Sequence, residues 1–270
     1  MHCRLCGAGA TQVARQRLLG THDVDYFLCP RCELLQTEEP TWLAEAYAAA
    51  ISQLDTGAVQ RNQLCARLTG LVAATLELPA GAPCLDFGGG HGVFVRMMRD
   101  LGLDFRWTDK LADNLYAGGF EGDVTAHHAL VTAFEVLEHL ADVRGDLAQL
   151  FGPQPDCVLI GTVLHAGHQP GWWYYLLESG QHVCFYNRRT LAWIGELFGY
   201  EVLAGPEYSV FLRRGTAIGA LRRRVLAQLV RHPIAAVNLV GLVPGPLLRR
   251  LSPYRSRVET DHQAMRAKPR

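Results

Sequence analysis

The stretch Asp86-Phe87-Gly88-Gly89-Gly90-His91-Gly92 limits the fold of this chain more than any other seven residues in it. A short apolar run, Cys84 to Phe87, leads into it, and an amphipathic stretch from Val93 to Leu101 follows. A second short run, Phe105-Arg106-Trp107-Thr108, ends at Asp109. The order is strand, glycine turn, helix, strand, acid, which opens a parallel α/β sheet. Glycines at alternate positions let backbone come close to a bound group, and the helix start offers it free N–H groups. An acid ending the second strand is placed to hydrogen-bond a ribose diol. The spacing is D-x-G-x-G-x-G, whereas dinucleotide sites use G-x-G-x-x-G, with the third glycine packing the helix beneath a pyrophosphate. Asp86 would repel a pyrophosphate and attract a cation. The pattern therefore favours a ligand with an adenosine and a positive group over NAD or FAD.

Half of the eight cysteines form a second pattern, C-x2-C-x22-C-x2-C, made by Cys3, Cys6, Cys29 and Cys32. Two-residue spacing lets both thiolates of a pair reach one ion from a tight knuckle, and two knuckles close a tetrahedral shell. Gly7 follows the first pair, Pro30 lies inside the second, and the stretches Gln12–Leu18 and Asp25–Leu28 suit the strands of a zinc ribbon. Residues 1–37 are too few for a self-sufficient core, so the metal would supply folding energy. A full shell leaves no place for water, and the zinc is read as structural. Chance surface cysteines, or an iron–sulfur or dithiol site, are the competing readings. His2 and His22 are bystanders on this view. Cys65, Cys84, Cys157 and Cys184 are isolated in apolar context and read as core. No apolar segment follows Met1-His2-Cys3-Arg4, so the expected address is cytoplasmic, without structural disulfides.

Further along, Ala129-Leu130-Val131-Thr132-Ala133-Phe134-Glu135-Val136-Leu137-Glu138-His139-Leu140 carries an F-E-V-L-E-H signature. Gly180 to Tyr186, Thr190-Leu191 and Phe198-Gly199-Tyr200 accompany it. With the glycine motif and Asp109, residues 40 to 212 resemble class I S-adenosylmethionine-dependent methyltransferases, in particular the F-E-V-L-E-H subgroup. The cysteine module is similar to the zinc-binding region of deoxysugar C-methyltransferases. Those enzymes continue into a long further domain, in place of which this sequence has 58 residues. The resemblance implies a Rossmann-like sheet of seven strands with helices on both faces. Asp156 to Gly161 would be the fifth strand, Thr190 to Phe198 a helix, and Tyr200–Leu203 and Tyr208–Leu212 the closing hairpin. The third strand is the weak place, with only Gly119-Phe120-Glu121-Gly122-Asp123 to supply it.

The same resemblance assigns roles. Gly88, Gly89, Gly90 and Gly92 would cradle S-adenosylmethionine, Asp86 would meet its ammonium directly or through water, and Asp109 would hold its ribose. Asp123 would reach the adenine amino group. Phe134 and Glu135 would border the methionine end or the acceptor, although Glu135 could instead cap the following helix. His182 and His139 are the candidate bases, since histidine accepts a proton near neutral pH; for both, a structural place in the fold is the plainer reading. Trp172-Trp173-Tyr174-Tyr175 would line the acceptor pocket or pack against the sheet, and Tyr47 would help cover the cofactor.

Charge adds a constraint that the total conceals. There are 26 basic and 26 acidic residues, but residues 1–212 hold 13 and 24 of them, and residues 213–270 hold 13 and 2. An acidic body of net −11 thus carries a tail of net +11. A 49% hydrophobic and 19% charged chain is not a disordered one. The body is excluded as a general nucleic-acid binder. The tail has three possible partners: an anionic membrane surface, the protein's own acidic body or a protein partner, and nucleic acid. The last is disfavoured because no nucleic-acid-reading motif is present. Ile234 to Val243 is too short to span a bilayer. The expected organisation is a zinc-ribbon module (1–37), a helical cap (38–80), a methyltransferase domain (81–212) and a basic amphipathic extension (213–270). The expected reaction is methyl transfer to a small-molecule or glycan-linked acceptor, a sugar foremost. Nucleic-acid or protein methylation, or a non-catalytic zinc-stabilised interaction protein, are the alternatives.

Overall fold

A computed structural model describes residues 1–48, 56–241 and 254–266. Its centre is a six-stranded sheet formed by β4 (Pro83–Phe87), β5 (Asp104–Thr108), β6 (Leu130–Phe134), β7 (Cys157–Gly161), β9 (Tyr200–Ala204) and β10 (Tyr208–Arg213), in the order β5-β4-β6-β7-β10-β9. The first four are mutually parallel, and β10 runs antiparallel to both β7 and β9. Alternation along the strands builds a core on each face. In β7, Val158 and Ile160 join one apolar cluster, while Cys157 and Leu159 join the other. Helices α2 (Ala58–Thr75), α3 (Val93–Asp100) and α6 (Ala220–Arg231) cover one face, whereas α4 (Val143–Phe151) and α5 (Arg188–Phe198) cover the opposite one. This is a doubly wound, Rossmann-like architecture. The order reverses between β4 and β6, which opens the crevice where such sheets bind ligands.

The expected seventh strand is absent among the described residues, and the count is corrected to six. Its place is marked by a single parallel bridge, Trp107 to Glu121, closed by the Trp107 N–H donating to Phe120 O and the Gly122 N–H to Trp107 O, both 2.8 Å. Gly119 to Asp123 has no β-branched run to extend this pairing. Phe120 is instead buried beneath the Arg99 guanidinium, 3.9 Å from its ring centre.

A second, four-stranded antiparallel sheet holds β1 (Thr11–Leu18), β2 (His22–Leu28), β3 (Leu35–Thr37) and β8 (Cys184–Phe185). Its last strand comes from far along the chain. Arg4, inside the first cysteine knuckle, donates to Thr37 O at 2.9 Å and Val183 O at 3.4 Å, which ties the knuckle to that junction. Tyr26, Leu34 and Leu35 share one core with Val131, Ile160 and Phe185. The cysteine-bearing segment is therefore packed into the body. Within the expected helical cap (38–80) lie α1 (Leu43–Ala46) and α2, and residues 49–55 of it are outside the described residues.

The tail folds back onto the body. Arg222 pairs with Glu77 and Arg223 with Glu201, while Leu226, Leu229 and Val230 enter the core. A short helix, α7 (Pro233–Gly241), follows; Leu242 and Val243 of the expected apolar segment lie outside the described residues. In the C-terminal helix Val258–Arg266, Asp261 accepts from Arg99 Nε and Nη2 at 2.7 and 2.8 Å. Arg99 is 2% exposed and also meets Asp104, so both its carboxylate partners are needed to offset its burial. Among the described residues, no helix is long and apolar enough to cross a membrane.

Candidate functional site

Two loops meet over the switch point. One follows β4 and holds Gly88 to Gly92; the other follows β6 and begins at Glu135. A Cβ on Gly88 (φ +73°) would stand 2.5 Å from Val136 Cγ2, and one on Gly89 would stand 2.7 Å from Trp107 Cδ1 and 2.8 Å from Asp86 Oδ2. Only glycine lets these loops approach so closely. Glu135 lies at φ +53° without being glycine, a strained conformation held by its N–H donating to Gly161 O at 2.9 Å. It caps no helix: a 3-10 turn over Leu137–His139 follows, capped by backbone alone.

Asp86 is buried, and accepts from Thr132 Oγ1 at 2.7 Å across the β4–β6 pairing. Burial pushes its carboxyl up to about 7. Asp109 ends β5, where its Oδ2 accepts from the Gly90 N–H at 2.9 Å and its Oδ1 from the N–H groups of Leu111 and Ala112. It therefore shapes the glycine loop as well as facing the cavity. Trp107 donates from Nε1 to Gly90 O at 2.8 Å and fixes the other side of that loop.

A cavity of about 1400 Å³ starts at Phe87, Gly88, Gly90 and Asp109, passes Glu135, and reaches His139, His182, Tyr47, Trp172 and Tyr174. Asp123 is exposed and accepts from Thr125 N and Oγ1, which hold its carboxyl below the usual range; Val124, and not Asp123, lines the cavity. Phe134 also stands behind the wall, edge-on to Phe94 and Tyr208. At the far end, the His139 and His182 rings meet edge-to-face with centroids 4.7 Å apart. Desolvation pushes His139 down to about 4 and His182 to about 3, so both stand neutral near pH 7 and are weak bases as they sit. His139 Nδ1 meets the Tyr47 hydroxyl at 2.9 Å, and His182 donates from Nδ1 to Tyr174 O at 2.8 Å.

The aromatic run divides. Tyr174 and Tyr175 are buried in the core, Trp172 lines the cavity, and Trp173 is 67% exposed at its rim. Two contributors went unread in the sequence. Glu138 is fully buried and accepts from the Tyr174 hydroxyl at 2.6 Å; it sits inside the F-E-V-L-E-H signature, and charge in such an apolar stretch was the available signal. Arg61 of α2 lies 3.8 Å from Glu135, a contact across distant segments that no local pattern announces.

The four thiols of the N-terminal segment converge. Cys3 and Cys32 Sγ are 3.5 Å apart, as are Cys6 and Cys29 Sγ, and all four sulfurs lie within 4.8 Å of one another. A zinc tetrahedron with bonds of about 2.3 Å has edges of about 3.8 Å, so the donor set fits that ion. The contact between the Cys3 and Cys32 thiols lowers Cys3 to about 5 and pushes Cys32 up. His22 turns away to Glu45, and the remaining four cysteines are buried in the core.

The doubly wound sheet, with the glycine loop at its switch point and an acid following the next strand, opens a ligand crevice at the carboxyl ends of its strands. Residues 58–204 match the family model described as "Methyltransferase domain", and the chain belongs to that family; it is a methyltransferase. No curated protein sequence matches it. Among solved structures, the mitomycin 7-O-methyltransferase MmcR is 17% identical with a TM-score of 0.44, over 64% of this chain and 60% of that one. The 1,6-didemethyltoxoflavin-N1-methyltransferase of Burkholderia thailandensis is 16% identical with a TM-score of 0.44, over 76% of this chain and 97% of that one. An O-methyltransferase family protein from Burkholderia thailandensis is 17% identical with a TM-score of 0.42, over 65% and 68%.

Proposed function

We propose that the chain transfers a methyl group from S-adenosylmethionine to a small-molecule or glycan-linked acceptor. The observation that carries this reading is the continuity of one cavity, from the glycine loop and Asp109 to the paired histidines and Trp172. When bound, S-adenosylmethionine supplies an electrophilic methyl carbon on a sulfonium. Gly88, Gly89, Gly90 and Gly92 give its methionine end room against backbone, and Asp109 hydrogen-bonds the ribose. Asp86 sits behind the loop, where an arriving ammonium would lower its pKa, so that the carboxyl proton passes to solvent and a paired carboxylate remains. Asp123 would need to turn inward to reach adenine, so Val124 provides the wall there. Phe134 backs this wall and Glu135 separates the two ends of the cavity.

At the acceptor end His182 and His139 present imidazoles to the incoming hydroxyl or amine. In-line placement carries most of the gain, because the sulfonium releases its methyl group by departing as a neutral thioether and a strong base is not required. Trp172 and Trp173 offer flat apolar surfaces that suit a sugar face. Zinc on Cys3, Cys6, Cys29 and Cys32 supplies folding energy to the sheet whose last strand, β8, lies two residues beyond His182. Calorimetric titration with S-adenosylmethionine and its demethylated product tests the cofactor, and no binding at high micromolar concentration would sink the reading. A panel of sugars, sugar nucleotides and aryl alcohols then tests the acceptor.

A second reading concerns location. Leu221, Ile234 and Leu239 are 75%, 60% and 68% exposed on α6 and α7, with Arg224 and Arg231 exposed beside them. Such a face suits the surface of an anionic membrane. Sedimentation with anionic liposomes that weakens with salt would support it; equal sedimentation with neutral liposomes would overturn it.

A further inference from the structure

We infer that Asp261, from the tail, is a positioning residue for the adenine side of the cofactor crevice, acting through Arg99 and Phe120. The least supported part of that wall is the segment Gly118-Gly119-Phe120-Glu121-Gly122-Asp123. Half of these residues are glycine, and a single bridge joins the segment to the edge of β5, where a strand would make a full ladder. Its one large apolar side chain, Phe120, is 6% exposed. The place of the segment therefore depends on what covers that ring. Two cations cover it: the Arg99 guanidinium carbon stands 3.9 Å from the ring centre, and that of Arg96 stands 5.4 Å from it. Asp261 holds both arginines. Its two carboxylate oxygens take Nε and Nη2 of Arg99, and one of them also meets Arg96.

The segment so held is tied to the cofactor cradle. Trp107 donates its backbone N–H to Phe120 O and its Nε1 to Gly90 O, so one residue joins the segment to the glycine loop. The Leu115 and Tyr116 N–H groups donate to His91 O at 3.1 and 3.0 Å, and a Cβ on Gly92 would stand 2.9 Å from Ala117 Cβ. Val124, directly after the segment, lines the cavity. The tail reaches this place through close contacts. The Tyr254 hydroxyl donates to Leu78 O and the Arg257 N–H to Arg99 O, both at 3.1 Å, and a Cβ on Gly102 would stand 2.4 Å from Arg255 O. Residues 254–266 lie outside the span 58–204 that matches the family model, so the strap is built from chain beyond the family domain. Without the Asp261 carboxylate, Arg99 Nε and Nη2 would lose these acceptors while still buried; Asp104 and Phe105 O take Nη1 instead. The guanidinium would then turn toward water, uncover Phe120 and release the segment. That adenine lies along this wall rests on the methyl-transfer reading; the strap itself does not.

The probe is S-adenosylhomocysteine, titrated calorimetrically into the full-length protein. Asp261→Asn should weaken its binding by about tenfold. Asp261→Glu, which keeps a carboxylate for both arginines, should stay within about threefold of wild type. Phe120→Leu leaves the ion pairs in place, removes the ring, and should reproduce the loss seen in Asp261→Asn. Hydrogen exchange followed by mass spectrometry gives a readout that needs no ligand. In Asp261→Asn the amides of residues 117–124 should exchange at least about tenfold faster, while those of β6, β7 and β8 keep their wild-type rates. Should Asp261→Asn fail to fold, Phe120→Leu decides by the same two readings. Exchange that rises across β6 and β7 as well marks general loosening and overturns the assignment. Wild-type binding that neither Asp261→Asn nor Phe120→Leu weakens would refute the positioning role alone. No wild-type binding, with faster exchange confined to residues 117–124 in the variant, would refute the cofactor reading alone.

Discussion

At one end of the cavity, residues drawn from 86 to 112 shape a loop mostly through backbone: glycines without side chains, and Asp109 accepting from the N–H groups of Gly90, Leu111 and Ala112. At the other end, Tyr47, His139, Trp172, Tyr174 and His182 meet as side chains from segments far apart in sequence. The first end is a local device that a contiguous motif can encode. The second exists only because the four-stranded sheet recruits β8 and thereby seats His182 beside His139. The two ends should therefore fail independently.

The largest effect should come from the cysteine cluster. Cys32→Ser removes one sulfur of four, and stability should fall by on the order of several kcal/mol in urea denaturation. At moderate urea the acceptor end should loosen first, with S-adenosylmethionine affinity retained until global unfolding. Simultaneous loss of both would break the contrast. Gly88→Val acts at the opposite end: a side chain 2.5 Å from Val136 on a left-handed backbone must displace the loop. Calorimetry should show affinity for S-adenosylmethionine reduced by about a hundredfold, on the order of 3 kcal/mol, and an unchanged melting temperature with unchanged affinity would count against the cradle.

Asp86 gives a pH test. Its folded value near 7 lies above the ordinary 3.8. Below about pH 4 both folded and unfolded chains hold the proton, so the group is neutral in its effect. From about pH 4 to 7 the unfolded chain ionises first, and stability should drop by a few kcal/mol before levelling off. Asp86→Asn should flatten that slope and stabilise the ligand-free protein. The same substitution should abolish any rise in S-adenosylmethionine affinity as pH climbs through 7; a wild-type affinity flat across this range would disconnect Asp86 from the ammonium. The smallest effect belongs to Trp173→Ala. With the ring 67% exposed, stability should change by less than about 0.5 kcal/mol. KM for the acceptor should rise a few-fold at constant cofactor affinity, and a matching drop in cofactor affinity would show the two ends to be coupled.

This contrast also explains what the sequence disclosed. Strands β4 and β5 and helix α3 fall where the apolar runs around the glycine turn place them, and β7 and α5 where the family resemblance does. The cysteine knuckles and the glycine loop were legible for the same reason, that spacing alone fixes their geometry. Glu138 was not, because its burial depends on Tyr174 lying across it, and Tyr174 read only as one of four adjacent aromatics. The third strand failed in the opposite direction. Family pattern promised it, but Phe120 turns under Arg99, and Arg99 is held there by Asp261 from the tail. The segregated charge of the tail was plain in the sequence, whereas its pairing with Glu77, Glu201 and the core needed the fold.

The pairing of β3 with β8 has a consequence for synthesis. Leu35 and Gln36 are translated well before Phe185 and Cys184, their partners in register. During the interval, the nascent chain carries a three-stranded sheet with an open edge, the kind of surface on which misassociation starts. An ion captured early by the first thirty-odd residues would hold that sheet in shape while it waits. The order of events on the ribosome would then be metal first, catalytic crevice last.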